Sequence, residues 1–307
     1  MPQRLLPAHL APKGRAIHPS LERRGLSGPS TVTLQSTGQL FEGTLNRNIQ
    51  YRDQAGNLYL LRVPKQETPI KADLAVKYPE QGFAPPRGFH RYRSIAEQFT
   101  FMKQALAAGL EVLEPTAIAR DATTMIVPFL QEAIPLDVYL HSGRTEAVPA
   151  VLDNLLAAHQ KGLVFGDRWG TNTLVIPEGM KEIDFDIAFE GSRAKEFELG
   201  KLLYHIVHFS SERDTVLTVL HNHFEQHKAV YTQQYNLPMV RLFIANHFKM
   251  YGGKQTVAID TIKELGNPPV NAEQVALLLT ALAEACDSGE QPSVMPAHLP
   301  LTVGRCR

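Results

Sequence analysis

Residues 165–172 of the chain read FGDRWGTN, and residues 183–186 read IDFD. In these two stretches Asp167 is followed five residues later by Asn172, and Asp184 comes at the end of an apolar run. Upstream, residues 148–162 carry apolar side chains at helical spacing and end in glycine, which predicts a helix. The apolar residues at 174–176, and those at 183 and 185, are separated by a turn-forming segment and predict a hairpin that carries both Asn172 and Asp184.

The residue types in this order suit magnesium-assisted phosphoryl transfer from ATP. That reaction requires mainly the positioning of the reactants and the neutralisation of phosphate charge. We expect Asp167 to accept or orient the proton of an acceptor hydroxyl. Asn172 would offer a neutral oxygen to Mg²⁺, which prefers oxygen ligands, and Asp184 would bridge the metal to the phosphates. Asp and Asn beside Gly and Thr are also common in ordinary turns, so the hypothesis depends on the whole order of elements.

Residues 156–191 resemble the aminoglycoside phosphotransferase and choline kinase branch of the protein-kinase-like superfamily. Proteins of that branch show H-G-D-x-x-x-x-N followed by I-D-[FW]-[DE]-x-A, and the chain departs only at Phe165, which replaces the His. The resemblance implies a bilobal α+β fold with a small antiparallel β amino-terminal lobe and a mainly helical carboxy-terminal lobe. It also implies that ATP and Mg²⁺ are bound between the lobes.

The resemblance places a phosphate-gripping cation on the third strand of the amino-terminal lobe. Residues 31–34, 43–51 and 58–63 predict three strands, so Arg62 is the candidate and Lys65 the alternative. An acid on the next helix, expected over residues 94–108, would pair with that cation, and Glu97 is the candidate. Alternatively, Arg62 and Glu97 are ordinary solvated surface residues.

Two more acids complete the expected site. Asp186 lies two residues after Asp184, so it would share the metal or support the site structurally. Glu198, early in the following helix, is the position at which the resemblance implies a brace for the catalytic loop. A glutamate near a helix amino terminus is also favoured by the helix dipole alone. Gly38 and Gly43 do not make a G-x-G-x-x-G pattern, so the phosphate-covering loop is poorly marked.

Composition agrees with an ordinary globular enzyme. The 307 residues are 44% hydrophobic, with 31 basic and 31 acidic side chains and only two cysteines. Balanced charge gives no general attraction to nucleic acid or membrane, and two cysteines favour a reducing cytoplasm over a disulfide framework. We expect a basic extended arm over residues 1–30, an amino-terminal lobe over 31–130, a carboxy-terminal lobe over 131–287 and an irregular tail over 288–307.

Three functions remain open at this stage. The first is a kinase acting on a small hydroxyl compound such as an amino alcohol, a sugar or an aminoglycoside-like molecule. It is favoured because residues 187–194 leave no room for a long activation segment before the next helix. The second is a minimal protein Ser/Thr kinase, and the third is a nucleotide-binding pseudokinase, which Phe165 and the missing glycine pattern would suit.

Two histidine pairs have the spacing of metal ligands on one helical face. They are His205 with His208 and His223 with His227, separated by three and four residues. Neither pair forms an H-E-x-x-H motif, and histidines packed in a helical core give the same spacing. A structural interpretation is therefore preferred for both pairs.

Overall fold

The structure is a computed structural model that describes residues 33–43, 45–65 and 89–251. The predicted arm over residues 1–30 and the predicted tail over 288–307 lie outside these residues, as do residues 66–88 and 252–287. None of the helices in the described ranges is both long enough and apolar enough to cross a membrane.

A five-stranded antiparallel sheet forms the amino-terminal part, with the strand order β1-β2-β3-β6-β5. Its strands are β1 (Gln35–Glu42), β2 (Asn46–Arg52), β3 (Leu58–Pro64), β5 (Ala117–Ile118) and β6 (Met125–Pro128). A further short strand, β4 (His90–Tyr92), lies between β3 and β5 in sequence and pairs with a strand near the catalytic segment. The sheet thus presents one long face to the rest of the molecule.

The first strand differs from its prediction. The chain over 33–34 is not a strand, and β1 instead runs through residues 35–42, which the sequence suggested as a phosphate-covering loop. The β1–β2 register shifts between Ser36 and Leu40, where Gly38 has a φ of +79°. Such a bulge needs the left-handed backbone that glycine adopts without strain. The turn that links β1 to β2 therefore begins only at Gly43.

The helix that follows β4 begins where a capping box places it. Helix α1 (Ile95–Ala107) has Ser94 as its N-cap, and the Ser94 side chain accepts a hydrogen bond from the Glu97 backbone. The Glu97 carboxylate in turn accepts from the Ser94 backbone N–H at 2.7 Å. These bonds satisfy two of the unpaired donors of the first turn. The predicted helix over 94–108 is confirmed to within one residue at each end.

The remainder of the chain is mainly helical. Its helices are α2 (Leu136–His141), α3 (Val148–Gln160), α4 (Ala194–Phe209), α5 (Arg213–Gln226), α6 (Lys228–Gln234) and α7 (Leu237–Tyr251). Helix α4 is buried along almost its whole length and packs closely on α7, where Gly200 lets the two backbones approach. The predicted α+β architecture, with a small antiparallel sheet followed by a mainly helical part, is confirmed.

A small sheet carries the catalytic segment between α3 and α4. Strand β7 (Ile134–Pro135) pairs with β8 (Thr173–Ile176), which forms a hairpin with β9 (Gly179–Glu182). The predicted second strand of this hairpin, at residues 183 and 185, is wrong, because the strand occupies residues 179–182. Asp184 lies two residues beyond β9, in a segment that leads to β10 (Ile187–Phe189), the partner of β4. Asn172 and Asp184 therefore flank the hairpin and are not carried on its strands.

Candidate active site

The catalytic loop turns at a glycine that no other residue could replace without movement. Gly166 has a φ of +112°, and a Cβ at this position would lie 1.7 Å from the Ile187 carbonyl oxygen. Both the left-handed backbone and the close approach of β10 therefore require glycine. This contact fixes the point at which the chain delivers the next residue, Asp167, to the site.

A buried glutamate holds the loop from the opposite side. Glu198 of α4 accepts hydrogen bonds from the backbone N–H groups of Gly166 at 2.8 Å and Phe165 at 3.2 Å. It also contacts Nε2 of His159 on α3 at 2.8 Å and Nε of Arg168 at 3.8 Å. Hydrogen bonds to a charged acceptor contribute about 1.5–3 kcal/mol each. The predicted contact between Glu198 and the catalytic loop is confirmed.

Phe165 occupies the position where the resembling family has histidine. Its ring is fully buried and packs against Phe185 at 5.8 Å and Phe101 of α1 at 6.2 Å between centroids. Phe101 and Phe185 are in turn 5.3 Å apart. Aromatic pairs at these distances stabilise beyond their burial alone. The substitution thus replaces a polar support with an apolar cluster that joins the loop, the Asp184 segment and α1.

An arginine that the sequence did not single out ties the same segments together. The Arg93 guanidinium donates to the carbonyl oxygens of Phe165 at 2.7 Å, Val164 at 2.9 Å and Phe185 at 3.2 Å. It lies 4.1 Å from the centre of the Phe101 ring. Burial lowers the pKa of Arg93 to about 10, so the group remains charged at neutral pH. Its partners are backbone oxygens far away in sequence, which leaves no local pattern to reveal them.

Asp167 contacts a lysine from the helical part of the molecule. The ammonium of Lys201 on α4 bonds to Oδ1 of Asp167 and lies 4.7 Å from the centre of the Trp169 ring. The Lys201 side chain is fully buried, and this burial lowers its pKa. An opposite charge at hydrogen-bond distance favours the charged form and works against that shift. The contact orients the Asp167 carboxylate. Because the two residues are 34 positions apart, no local sequence pattern predicts it.

Asn172 is oriented by the loop itself. Its side-chain nitrogen donates to the backbone oxygen of Asp167 at 2.6 Å, and its amide oxygen accepts a longer bond of 3.5 Å from the Thr171 hydroxyl. Its backbone oxygen accepts from the N–H of Ile183 at 2.8 Å, next to Asp184. The predicted catalytic and metal residues Asp167, Asn172 and Asp184 are thus brought into one connected segment.

Asp184 sits in a strained backbone conformation. Its φ is +62°, one of two positive values among the non-glycine residues that the structure describes. Non-glycine residues in this region cost about 1–3 kcal/mol and are found where the surroundings enforce them. Here the fully buried Arg168 donates to the Asp184 backbone oxygen at 3.0 Å and pairs with Glu182 at 2.6 Å. Burial raises the pKa of Glu182, and the Arg168 charge opposes that effect.

The Arg62 guanidinium joins the sheet to this segment. It donates to Oδ1 of Asp184 at 2.9 Å and to the side-chain oxygen of Gln98 on α1 at 3.0 Å. The predicted ion pair between Arg62 and Glu97 is wrong. Glu97 caps α1 and pairs with Arg91 at 2.7 Å, because the capping box turns it toward the helix start. The helix partner of Arg62 is therefore the neutral side chain one position later.

Lys65 and Asp186 both contact the turn between β1 and β2. The Lys65 ammonium donates to the Gly43 backbone oxygen at 2.6 Å. Asn46, the first residue of β2, donates to Oδ2 of Asp186 at 3.0 Å. Burial and the neighbouring Asp184 carboxylate raise the pKa of Asp186 to about 7. The metal role of Asp186 and the nucleotide roles of Lys65 and Arg62 stay predictions.

The chain was compared with known proteins. No protein-family model matches it, and no curated protein matches it. Solved structures similar to the chain include an ADP/Mg²⁺-phosphoaspartate complex of the Rio2 kinase from Chaetomium thermophilum. It has 18% identity and a TM-score of 0.35, and the match covers 82% of this chain and 70% of that one.

Two further solved structures are similar to the chain. One is the amicoumacin kinase hAmiN in complex with AMP-PNP and Ca²⁺, with 10% identity, coverage of 82% and 87%, and a TM-score of 0.39. The other is a choline/ethanolamine kinase family protein from Mesorhizobium loti, with 15% identity, coverage of 84% and 94%, and a TM-score of 0.36. The names of all three proteins contain the word kinase. At these TM-scores they support no residue correspondence, so the site is interpreted from the contacts of this chain alone.

Proposed function

We propose that the chain is an ATP- and Mg²⁺-dependent phosphotransferase that transfers the γ-phosphate to a hydroxyl group of a small molecule. The observation that carries the proposal is a continuous set of contacts from the sheet to the loop. Arg62 binds Asp184, the residue before Asp184 binds Asn172, and Asn172 binds Asp167. A cation, two oxygen ligands and a base thereby share one site at the junction of the sheet and the helices.

The donor set fits a magnesium ion. Asn172 commits its nitrogen to the loop, and its amide oxygen makes a long contact of 3.5 Å with the Thr171 hydroxyl, which a metal ion would replace. Asp184 contributes a carboxylate, and hard oxygen ligands of both kinds suit Mg²⁺, which usually retains several of its waters. Asn172 and Asp184 would hold the ion. Bound Mg·ATP supplies the phosphoryl group and a metal that neutralises the charge on its oxygens.

The chain's own residues then have separate tasks. Asp167, held by Lys201, would accept or orient the proton of the acceptor hydroxyl, as a general base within hydrogen-bond reach does. Arg62 would bind phosphate oxygens from the sheet side. Gly166 and Glu198 keep the loop in place, so that little reorganisation is needed when the substrates bind.

The acceptor is proposed to be small because of the short connection after Asp186. Strand β10 ends at Phe189 and α4 begins at Ala194, and β10 is itself paired with β4. This connection leaves no room for a segment that would display a peptide. The minimal protein kinase is therefore the second candidate, and the pseudokinase is disfavoured because the loop is fully braced despite Phe165.

Thermal unfolding with and without Mg·ATP tests the nucleotide site. Ligand at about 100 times its dissociation constant stabilises a protein by about 2.7 kcal/mol. We expect a rise in Tm that requires Mg²⁺ and that disappears in Asp184→Asn. Asp167→Ala should retain the shift and lose phosphate transfer in a screen of hydroxyl acceptors with γ-labelled ATP. A wild-type protein with no shift at saturating Mg·ATP would contradict the proposal.

A further inference from the structure

Outside the proposed active site, three potential ligands for a metal ion come together on the helical part. They are Asp153 of α3 and the histidines His223 and His227, at the end of α5 and just after it. The three ligand atoms lie within 4.8 Å of one another, and this is the one such group among the residues that the structure describes. The i,i+4 spacing of the histidines places both rings on one face, with their centroids 4.4 Å apart.

The separations within the group match a tetrahedral metal site. Oδ1 of Asp153 lies 3.1 Å from Nε2 of His223 and 3.3 Å from Nε2 of His227. Zinc binds imidazole nitrogen and carboxylate oxygen at about 2.0–2.2 Å, so neighbouring ligands of a tetrahedral ion are roughly 3.3 Å apart. Two of the three distances between ligand atoms therefore already have the required length. The third separation, between the two imidazole rings, is within 4.8 Å, and because the rings are stacked at 27° the more exposed one, that of His227, must rotate for both to point at one ion.

A contact outside the group fixes the orientation of one ligand, His223. The other ring nitrogen of His223, Nδ1, lies 3.1 Å from the Tyr231 hydroxyl on α6. Histidines that bind metals almost always have such an outer partner, which sets the tautomer and aims the free nitrogen at the ion. The His223 side chain is 2% exposed, whereas those of Asp153 and His227 are 53% and 35% exposed. One side of the group is thus rigid and the other is open to an ion from solvent.

We propose that Asp153, His223 and His227 form a binding site for a zinc-type divalent cation that fastens α3 to the α5–α6 junction. Three protein ligands leave a fourth position for water, and the exposed side of the group is where that water would bind. The imidazoles would bind through Nε2 as neutral rings that carry their one proton on Nδ1, so a ring protonated on both nitrogens before binding would release its Nε2 proton to solvent. The site does not depend on the proposed phosphotransfer. It holds the helix that leads into the catalytic loop.

Metal content and spectroscopy of the full chain, without an affinity tag, test this site. After incubation with Zn²⁺ and dialysis, we expect one equivalent of zinc by mass spectrometry. Replacement by Co²⁺ should give the intense visible absorption of a tetrahedral site. Zinc at about 100 times its dissociation constant should raise Tm by several degrees. Wild-type protein that retains no zinc and shows no cobalt band would overturn the proposal.

Matched variants separate this site from adventitious binding to other histidines. His227→Ala should lose the bound equivalent and the Tm shift, whereas His221→Ala, on the same helix but outside the group, should retain both. Tyr231→Phe keeps all three ligands and should weaken zinc affinity by about 10–100-fold. Equal zinc content in His227→Ala and His221→Ala would show that the metal binds elsewhere and would refute the assignment. Circular dichroism of each variant checks that the fold is retained.

Discussion

The catalytic loop and the sheet edge that faces it are held in very different ways. Residues 165–167 are fixed by a glycine contact, two bonds to Glu198 and the backbone bonds of Arg93. The sheet reaches the same site through single side chains, Arg62 to Asp184 and Asn46 to Asp186. Buried backbone contacts leave no alternative arrangement, whereas contacts of long side chains are readily exchanged for those of a ligand. The side proposed to bind the acceptor is therefore prepared in advance, and the side proposed to bind phosphate is adjustable.

The strongest test of the rigid side removes its buried acid. Glu198→Ala leaves two backbone donors and His159 without their acceptor, and we expect a loss of about 3–5 kcal/mol in the free energy of unfolding. Urea unfolding measures it. Glu190→Ala breaks a surface pair with Arg91 and should cost less than about 1 kcal/mol. Equal losses in the two variants would show that Glu198 does not hold the loop.

Two glycines with left-handed backbones provide the next test. Gly166→Ala meets both an unfavourable φ and the Ile187 oxygen, and should destabilise by about 2–4 kcal/mol. Gly162→Ala meets only the unfavourable φ of +75°, with no atom within 4 Å, and should cost about 1 kcal/mol. The two unfolding curves give the difference directly. If both changes cost the same, the approach of β10 does not constrain the loop.

Lys201 contacts the proposed base, Asp167, and so links the rigid side to the proposed reaction. Lys201→Met keeps the length of the side chain but removes the bond to Asp167, and misplacement of the base should lower kcat by about 100-fold. The KM for ATP should change little, since Lys201 lies on the acceptor side. Steady-state kinetics measure both constants. Lys103→Met, which removes an exposed lysine paired with Glu114, is the control and should leave both unchanged.

On the adjustable side, Arg62 is expected to dominate nucleotide affinity. Arg62→Ala should weaken Mg·ATP binding by about 10–100-fold, the range for a charged hydrogen bond. Lys65→Ala should have a smaller effect, and Glu97→Ala should have none, because Glu97 contacts Arg91 and not Arg62. Isothermal titration gives the three affinities. If Glu97→Ala lost as much Mg·ATP affinity as Arg62→Ala, the result would support the predicted ion pair between Arg62 and Glu97, which the structure contradicts.

The last test concerns the response of stability to pH. Asp186 has a pKa of about 7 in the folded chain, against about 3.9 when unfolded, so the native state binds more protons between these values. Stability should therefore fall as pH rises from about 4 to 7, by at most about 1.4 kcal/mol per unit. Urea unfolding in EDTA at several pH values measures this slope. Asp186→Asn should flatten it, and an unchanged slope would assign it to another group.

The sequence revealed those features whose signal is local. The helix predicted over 148–162, the first strand of the hairpin and the spaced Asp167, Asn172 and Asp184 follow from periodicity, turn residues and motif order, whereas the second strand lies earlier than predicted. The role of Glu97 was also within reach, since Ser94 and Glu97 form the S-x-x-E pattern of a capping box. That local preference overrode the pairing inferred from the resemblance.

Other parts of the site had no local signal. Arg62 and Asp184 are 122 residues apart, and Arg93 binds backbone oxygens about 70 to 90 positions away. Lys201 lies on a helix whose faces are nearly all buried, so helical periodicity gives no reason to separate it from its neighbours. Only the folded backbone brings such groups together. The strand β1 was missed because a glycine bulge interrupts its alternation.

The aromatic cluster of Phe101, Phe165 and Phe185 has a consequence for working conditions. A histidine at position 165 would change charge between about pH 5 and 8, and its contacts would change with it. A phenylalanine has no proton to exchange, and van der Waals packing is not screened by salt. On this side the loop is therefore held by contacts that acidity and ionic strength leave unaltered.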